Sequence, residues 1–192
     1  MSIAIPDDWD QLVAVCAETG DRAVQQGLTT LIPGEEAHGP NPGATLEQIS
    51  AAEERIGARL DADARQLLLR ANGWLNLNGR FTLLSCEELG GPNWTYLLEL
   101  RDIYWESCPR EVWPACLDDP SILIPILTVP YSRETVYVFP GSPDSPTTAR
   151  PALNTGLDPI PERTLKQSIQ TELALAIDEL GAARRDSSRG AE

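Results

Sequence analysis

The stretch ERIGARLDADARQLLLRANGW, Glu54 to Trp74, holds two helix stops and a helix start in a few turns of chain. Glycine tolerates the left-handed backbone that closes a helix, and it stands at Gly57 and again in Asn72-Gly73. Asp61 is placed to cap a second helix, with Asp63 adding negative charge at its positive end. Upstream, Thr45 and Gln48 have the spacing of a capping box. Ile49, Ala52, Glu53 and Ile56 then share one helical face, and Ala64, Leu67, Leu68 and Ala71 make the stripe of the next helix. The spacing predicts two short helices, with Leu60 folded back between them and both apolar faces turned one way.

Glu53 is the odd member of its face. A carboxylate on a buried side is costly unless it is hydrogen-bonded or paired. Its candidate partners are Arg65 and the backbone N–H groups at the start of the second helix or after Gly73. The expected role of Glu53 is to hold the corner together. A catalytic role needs a second acid or base beside it, and the sequence supplies none.

The rest of the chain divides around this corner. Residues 8 to 27 carry Trp9, Leu12, Val13, Cys16 and Val24 close to helical spacing, with Asp7 or Asp8 as cap, Gly20 as an interruption and Gly27 as the end. Residues 31 to 44 are rich in Pro and Gly and read as a loop, which contains the single histidine, His38. After the corner, GRFTLLS alternates like a strand, with Phe81, Leu83 and Ser85 opposed to Thr82 and Leu84. Ser85 and Glu88 form a second capping box opening a short helical turn. The adjacent Glu87 and Glu88 already have a structural task there, beside the helix dipole. From Trp94 to about Cys108 the chain is amphipathic and aromatic, with Tyr96, Leu97, Leu100, Ile103 and Tyr104 along one face. Such a helix either packs on the core or offers aromatic anchors to a partner.

Ile122 to Leu127 and Thr135 to Phe139 predict a hairpin, with Val136 and Val138 on one face and Tyr137 and Phe139 on the other. Pro125 and Pro130 point to an edge strand or a bulge. Residues 141 to 163 read as a long Pro-rich loop. A last helix is expected from Pro161 to Leu180, with Leu165, Ile169, Leu173, Ala176, Ile177 and Leu180 as its stripe and Gly181 as its end. The polar residues 184–192 are expected to be a disordered tail.

Composition narrows the function classes. The 192 residues carry 29 acids and 15 Lys or Arg, a formal charge of −14. Such a surface repels phosphate backbones, so direct nucleic-acid binding is not expected. It suits a basic protein partner, or serves solubility alone. The N-terminus lacks the pattern of a secretory signal, no apolar run is long enough for a membrane, and a cytoplasmic location is the expectation. Cys16, Cys86, Cys108 and Cys116 form no C-x-x-C pair, so no metal site and no cofactor are expected, and reduced thiols are.

Ile49, Glu53, Ile56-Gly57, Leu60, Arg65, Leu68 and Asn72-Gly73 together resemble the opening signature of the SUKH (Smi1/Knr4) superfamily. The strand and turn of FTLLSCEEL and the later hairpin follow in the family's order, so the resemblance covers roughly residues 44 to 141. Asp61 stands where the family usually has Pro, and Ala64 where an aromatic is frequent. The resemblance implies an α+β fold with a mixed or antiparallel sheet flanked by helices. Here residues 1–43 would add an N-terminal helical extension and loop, and residues 44–183 would form the SUKH-like domain. It also implies a non-catalytic binding role. Many bacterial members are immunity proteins that neutralise a toxin by direct contact, and others are regulators or scaffolds. On that expectation an acidic, aromatic face would occlude a basic toxin or nuclease domain. The candidate contacts are Trp94, Tyr96, Trp105, Glu106 and Trp113, with Asp118 and Asp119 as an acidic rim. Glu53, Gly57, Asp61, Arg65, Asn72 and Gly73 are the expected structural motif. An enzymatic alternative would rest on Glu53, Glu87 and Glu88.

Overall fold

Asp8 opens the first helix by accepting the backbone N–H groups of Asp10 and Gln11, each at 3.0 Å. This helix, α1, spans Trp9–Gln25. The computed structural model describes residues 5–28, 39–130, 132–142, 149, 151–155 and 163–189, with side chains of the last helix through residue 183. His38 and Pro161 lie outside the described residues. The helix runs straight through Gly20, contrary to expectation, and Val24 is exposed. Gly20 serves packing instead: a Cβ there would stand 2.9 Å from the carbonyl oxygen of Asn76 on a neighbouring strand. Only glycine lets the two backbones come so close.

The corner forms as the spacing predicts. Helix α2 spans Leu46–Ile56, with both hydrogen bonds of the Thr45–Gln48 capping box in place. Gly57 ends it in the left-handed region at φ 68°. Helix α3 spans Ala62–Leu68, and Asp61 accepts from the N–H of Ala64 at 2.8 Å. Leu60, Ala64, Leu67, Leu68 and Ala71 are buried together with Ile49 and Ala52. Gly73, at φ 90°, turns the chain into the sheet.

The sheet is antiparallel throughout, in the order β1-β2-β3-β4-β5-β6. Its strands are β1 Trp74–Leu77, β2 Phe81–Leu83, β3 Ile124–Thr128, β4 Thr135–Val138, β5 Pro151–Asn154 and β6 Arg163–Thr164. The fold is therefore α+β. Strand β1 was not expected after the Asn-Gly stop, β5 falls in the stretch read as a loop, and β6 falls where that loop was expected to pass into the last helix. Helix α4 spans Pro92–Ser107, followed by 3-10 turns at Arg110–Val112 and Pro120–Ile122. Residues 86–90 form hydrogen-bonded turns, not the expected helical turn, although both Ser85–Glu88 bonds are made.

The β3–β4 hairpin divides its side chains as expected. Val136 and Val138 enter the main core, while Tyr137 and Phe139 join a second cluster with Trp105, Leu117, Leu123 and Leu153. Pro125 lies in an interior strand, so the edge reading fails; the register slips between Pro125 and Leu127, which is the bulge reading. A bulge accommodates the missing N–H inside a ladder.

Helix α5 spans Leu165–Arg189 and buries Leu165, Ile169, Leu173 and Leu180. It begins later than expected, at a Thr164–Gln167 box with bonds of 3.0 and 3.3 Å. It passes through Gly181, so residues 184–189 of the expected disordered tail are helical. Trp9, Leu12 and Cys16 of α1 belong to the same core cluster as Ile49 and Leu173. The N-terminal helix thus contributes side chains to the main core. No helix among the described residues is long and apolar enough to cross a membrane.

Candidate interaction surface

Two places carry the residues singled out by the sequence: the α2–α3 corner and the segment containing α4. At the corner, Glu53 Oε1 accepts from the N–H of Leu60 at 2.9 Å and from the guanidinium of Arg65 at 2.5 Å. The Glu53 side chain retains 12% exposure and that of Arg65 29%. One carboxylate thus ties the end of α2 to the turn and to α3, as expected. Asn72 is a second junction. Its Oδ1 accepts from the N–H of Cys86 at 2.7 Å, and its Nδ2 donates to Glu87 at 3.0 Å. Gln48 also donates to Glu87, at 3.1 Å. The Glu87 carboxyl is held below its usual range chiefly by its own backbone N–H, against desolvation, with Asn72, Gln48 and Ser85 each adding less. Glu88 accepts from the N–H of Ser85 at 2.8 Å. The three acids an enzymatic reading would use are therefore all engaged in hydrogen bonds within the fold. Among the described residues no three His, Cys, Asp or Glu side chains gather where a metal ion could sit.

Helix α4 turns a different face inward from the one expected. Leu97, Arg101 and Trp105 are buried, at i, i+4 and i+8, while Tyr96 and Ile103 each remain 58% exposed. The expectation was misled by Arg101, an arginine at the centre of the inner face. Arg101 donates to the carbonyls of Ser121 and Leu123 at 2.7 and 3.0 Å and to Asp102 at 2.8 Å. It thereby pins the chain ahead of β3 to α4. A buried arginine is stable only with such partners.

The expected contact residues separate accordingly. Trp105 is only 3% exposed and meets Tyr104 and Trp113 edge-on at 5.0 and 5.5 Å, so it is a core residue and not a contact. Trp94 and Trp113 are half-buried, and Trp113 donates to the carbonyl of Cys108 at 3.1 Å. Tyr96, Glu106, Asp118 and Asp119 are exposed. The Ser121 hydroxyl, with its backbone N–H, lowers the Asp119 carboxyl below its usual range, so it stays charged.

Sequence reasoning missed Ile103, Val112 and Ile122 as surface groups. With Tyr96 they are four of the eight exposed large hydrophobics among the described residues, all within residues 92–122. The same segment exposes Glu99, Asp102, Glu106, Glu111, Asp118 and Asp119, against Arg110 as its single exposed cation. On α4, Tyr96, Glu99, Ile103 and Glu106 follow at i, i+3, i+7 and i+10, one outward stripe. Exposed apolar groups set among charges of one sign can seat a partner of opposite sign. No family model matches this sequence, and no curated protein matches it.

Proposed function

We propose that this chain is a non-catalytic protein-binding module whose α4 face docks a basic partner. The observation that carries the reading is the coincidence, within residues 92–122, of four exposed large hydrophobics with six exposed acids. Tyr96 and Ile103 supply desolvating anchors, and the acids steer a cationic surface toward them and disfavour acidic competitors. The corner around Glu53 supports the further reading of a SUKH-type immunity protein. In that reading the module covers a toxin's active site and excludes its substrate, without bond chemistry of its own. The cytoplasm is the compartment that such a role requires.

The test is binding to the product of a neighbouring toxin gene, a basic nuclease being the expected kind. Tyr96→Ala and Ile103→Ala should each weaken the complex about tenfold or more, as anchor truncations do. Affinity should fall as salt rises, and Glu106→Gln should flatten that dependence. A complex indifferent to salt and to all three substitutions would overturn the proposal.

A further inference from the structure

The tip of the β1–β2 hairpin closes a small cavity against the end of α1 and one side of α5. Asn78 and Arg80 come from the tip, Ala23 from α1, and Glu172, Leu175 and Glu179 from α5. The cavity measures about 70 Å³. A water needs roughly 10–15 Å³ on this kind of measure, so the space admits several water-sized groups.

Asn78 marks the cavity as a site. It is 2% exposed, and neither its Oδ1 nor its Nδ2 has a hydrogen-bond partner. Its backbone is held in the left-handed region, at φ 49°. A buried amide in that state is costly to the fold, and such exceptions call for an occupant.

The surrounding charge decides the kind of occupant. Arg80 donates to Glu134 at 2.7 Å and to Glu172 at 3.1 Å, so one cation already bridges two carboxylates. Of these two only Glu172 lines the cavity, and Glu179 adds a second carboxylate to its wall. Burial pushes the Glu172 carboxyl up, with Arg80 pulling it down, Glu134 and Glu179 raising it further and Arg163 lowering it least. Water alone would satisfy the Asn78 amide and leave the acidic excess in place. A compact cation with several N–H donors answers the carboxylates and the Asn78 Oδ1, and the space beside it holds a water to accept from Nδ2.

We propose that this cavity binds one primary ammonium group, with Asn78 Oδ1, Glu172 and Glu179 as its acceptors. An ammonium is a compact point charge with three donors, matched in number to those acceptors, and the space admits it together with water. Its source is either a free alkylamine or the lysine side chain of another protein. The proposal does not depend on the α4 face.

The test is a titration of the 15N-labelled chain with ethylammonium chloride, with sodium chloride as the ionic-strength control. The side-chain amide signals of Asn78 should shift saturably with ethylammonium and not with sodium. A second arm uses Nα-acetyl-lysine amide. Saturation by both probes identifies a lysine side chain as able to enter, and saturation by ethylammonium alone identifies a free amine. Glu179→Gln should weaken binding several-fold. Asn78→Gly, which keeps the left-handed backbone available, should abolish the saturable response of neighbouring backbone signals. Identical, unsaturable shifts with ethylammonium and sodium would show that water alone fills the cavity and would overturn the proposal.

Discussion

At the scale of single residues, Glu53 decides whether the corner holds. Its Oε1 serves both the Leu60 N–H and the Arg65 guanidinium. Replacing it by alanine strands both donors while Arg65 keeps its charge in a half-covered position. We expect Glu53→Ala to cost about 2 kcal/mol, the range for orphaning partly buried donors. In a domain of this size that is a fall of about 4–8 °C in Tm. Glu53→Gln keeps an acceptor for Leu60 and loses only the charge, so its loss should be smaller. Calorimetry of the two variants checks the order, and an unchanged Tm in Glu53→Ala would remove Glu53 from its structural role. This residue was legible in the sequence because a carboxylate on an apolar face demands a partner, and Arg65 and nearby backbone N–H groups were the candidates. Arg101 was not legible, since the same rule makes an arginine look like a surface residue. Only the carbonyls of Ser121 and Leu123, some twenty residues away in sequence, reveal why it turns inward.

At the scale of elements, local chemistry was readable where it is strong and close in sequence. The Thr45–Gln48 box, the Asp61 cap and the Gly57 stop all use partners within a few residues, and all form. The alternation of β4 was readable because four consecutive residues pack on two different cores. Strands β1, β5 and β6 were not readable, because each is short and its pairing partner supplies the order. WLNL is interrupted by Asn76 at φ 77°, and PALN begins with proline, so neither displays a strand's pattern before the sheet assembles around it. Gly57 offers a test of the element's own chemistry. A Cβ there would meet nothing within 4 Å, so substitution probes only the cost of its left-handed backbone. Gly57→Ala should lose about 1–2 kcal/mol, and Gly57→Asn clearly less, because asparagine tolerates that region. Denaturant melts with unchanged slope and midpoints in the order Gly, Asn, Ala would bear this out. Equal midpoints for all three would mean that α2 ends by some other device.

At the scale of the whole molecule, the question is whether α1 is an accessory or a part of the domain. The terminal segments are tied together at several points. Lys166 reaches Asp7 at 2.9 Å, and Gln170 donates to the carbonyl of Pro6 at 2.7 Å. Arg70, just after α3, pairs with Asp10 of α1 at 2.6 Å. Asp63 of α3 accepts from the N–H of Lys166 at the start of α5, at 3.0 Å. The ion pairs with Asp7 and Asp10 are exposed and weak individually. The cohesion comes from Leu12 and Cys16, which are 0% and 1% exposed in the shared core. Cys16 reports directly on that cohesion. Burial pushes its thiol up to about 12, so at pH 8 the thiolate is on the order of one part in ten thousand even before access is considered. Labelling Cys16 therefore requires α1 to leave the core. If α1 belongs to the cooperative unit, Cys16 should react with a disulfide reagent only at the rate of global unfolding, while the half-exposed Cys108 and Cys116 react within the first phase. Mild denaturant should accelerate Cys16 with the full dependence of the equilibrium transition, because its exposure then releases all the surface that unfolding releases. Were α1 an appendage, Cys16 would label early, with a shallow denaturant dependence, and tryptophan fluorescence from Trp74 and Trp105 would remain native while it did. Single-cysteine variants retaining Cys16 or Cys108 keep the two phases apart. Their rates would settle whether the domain begins at α1 or at α2.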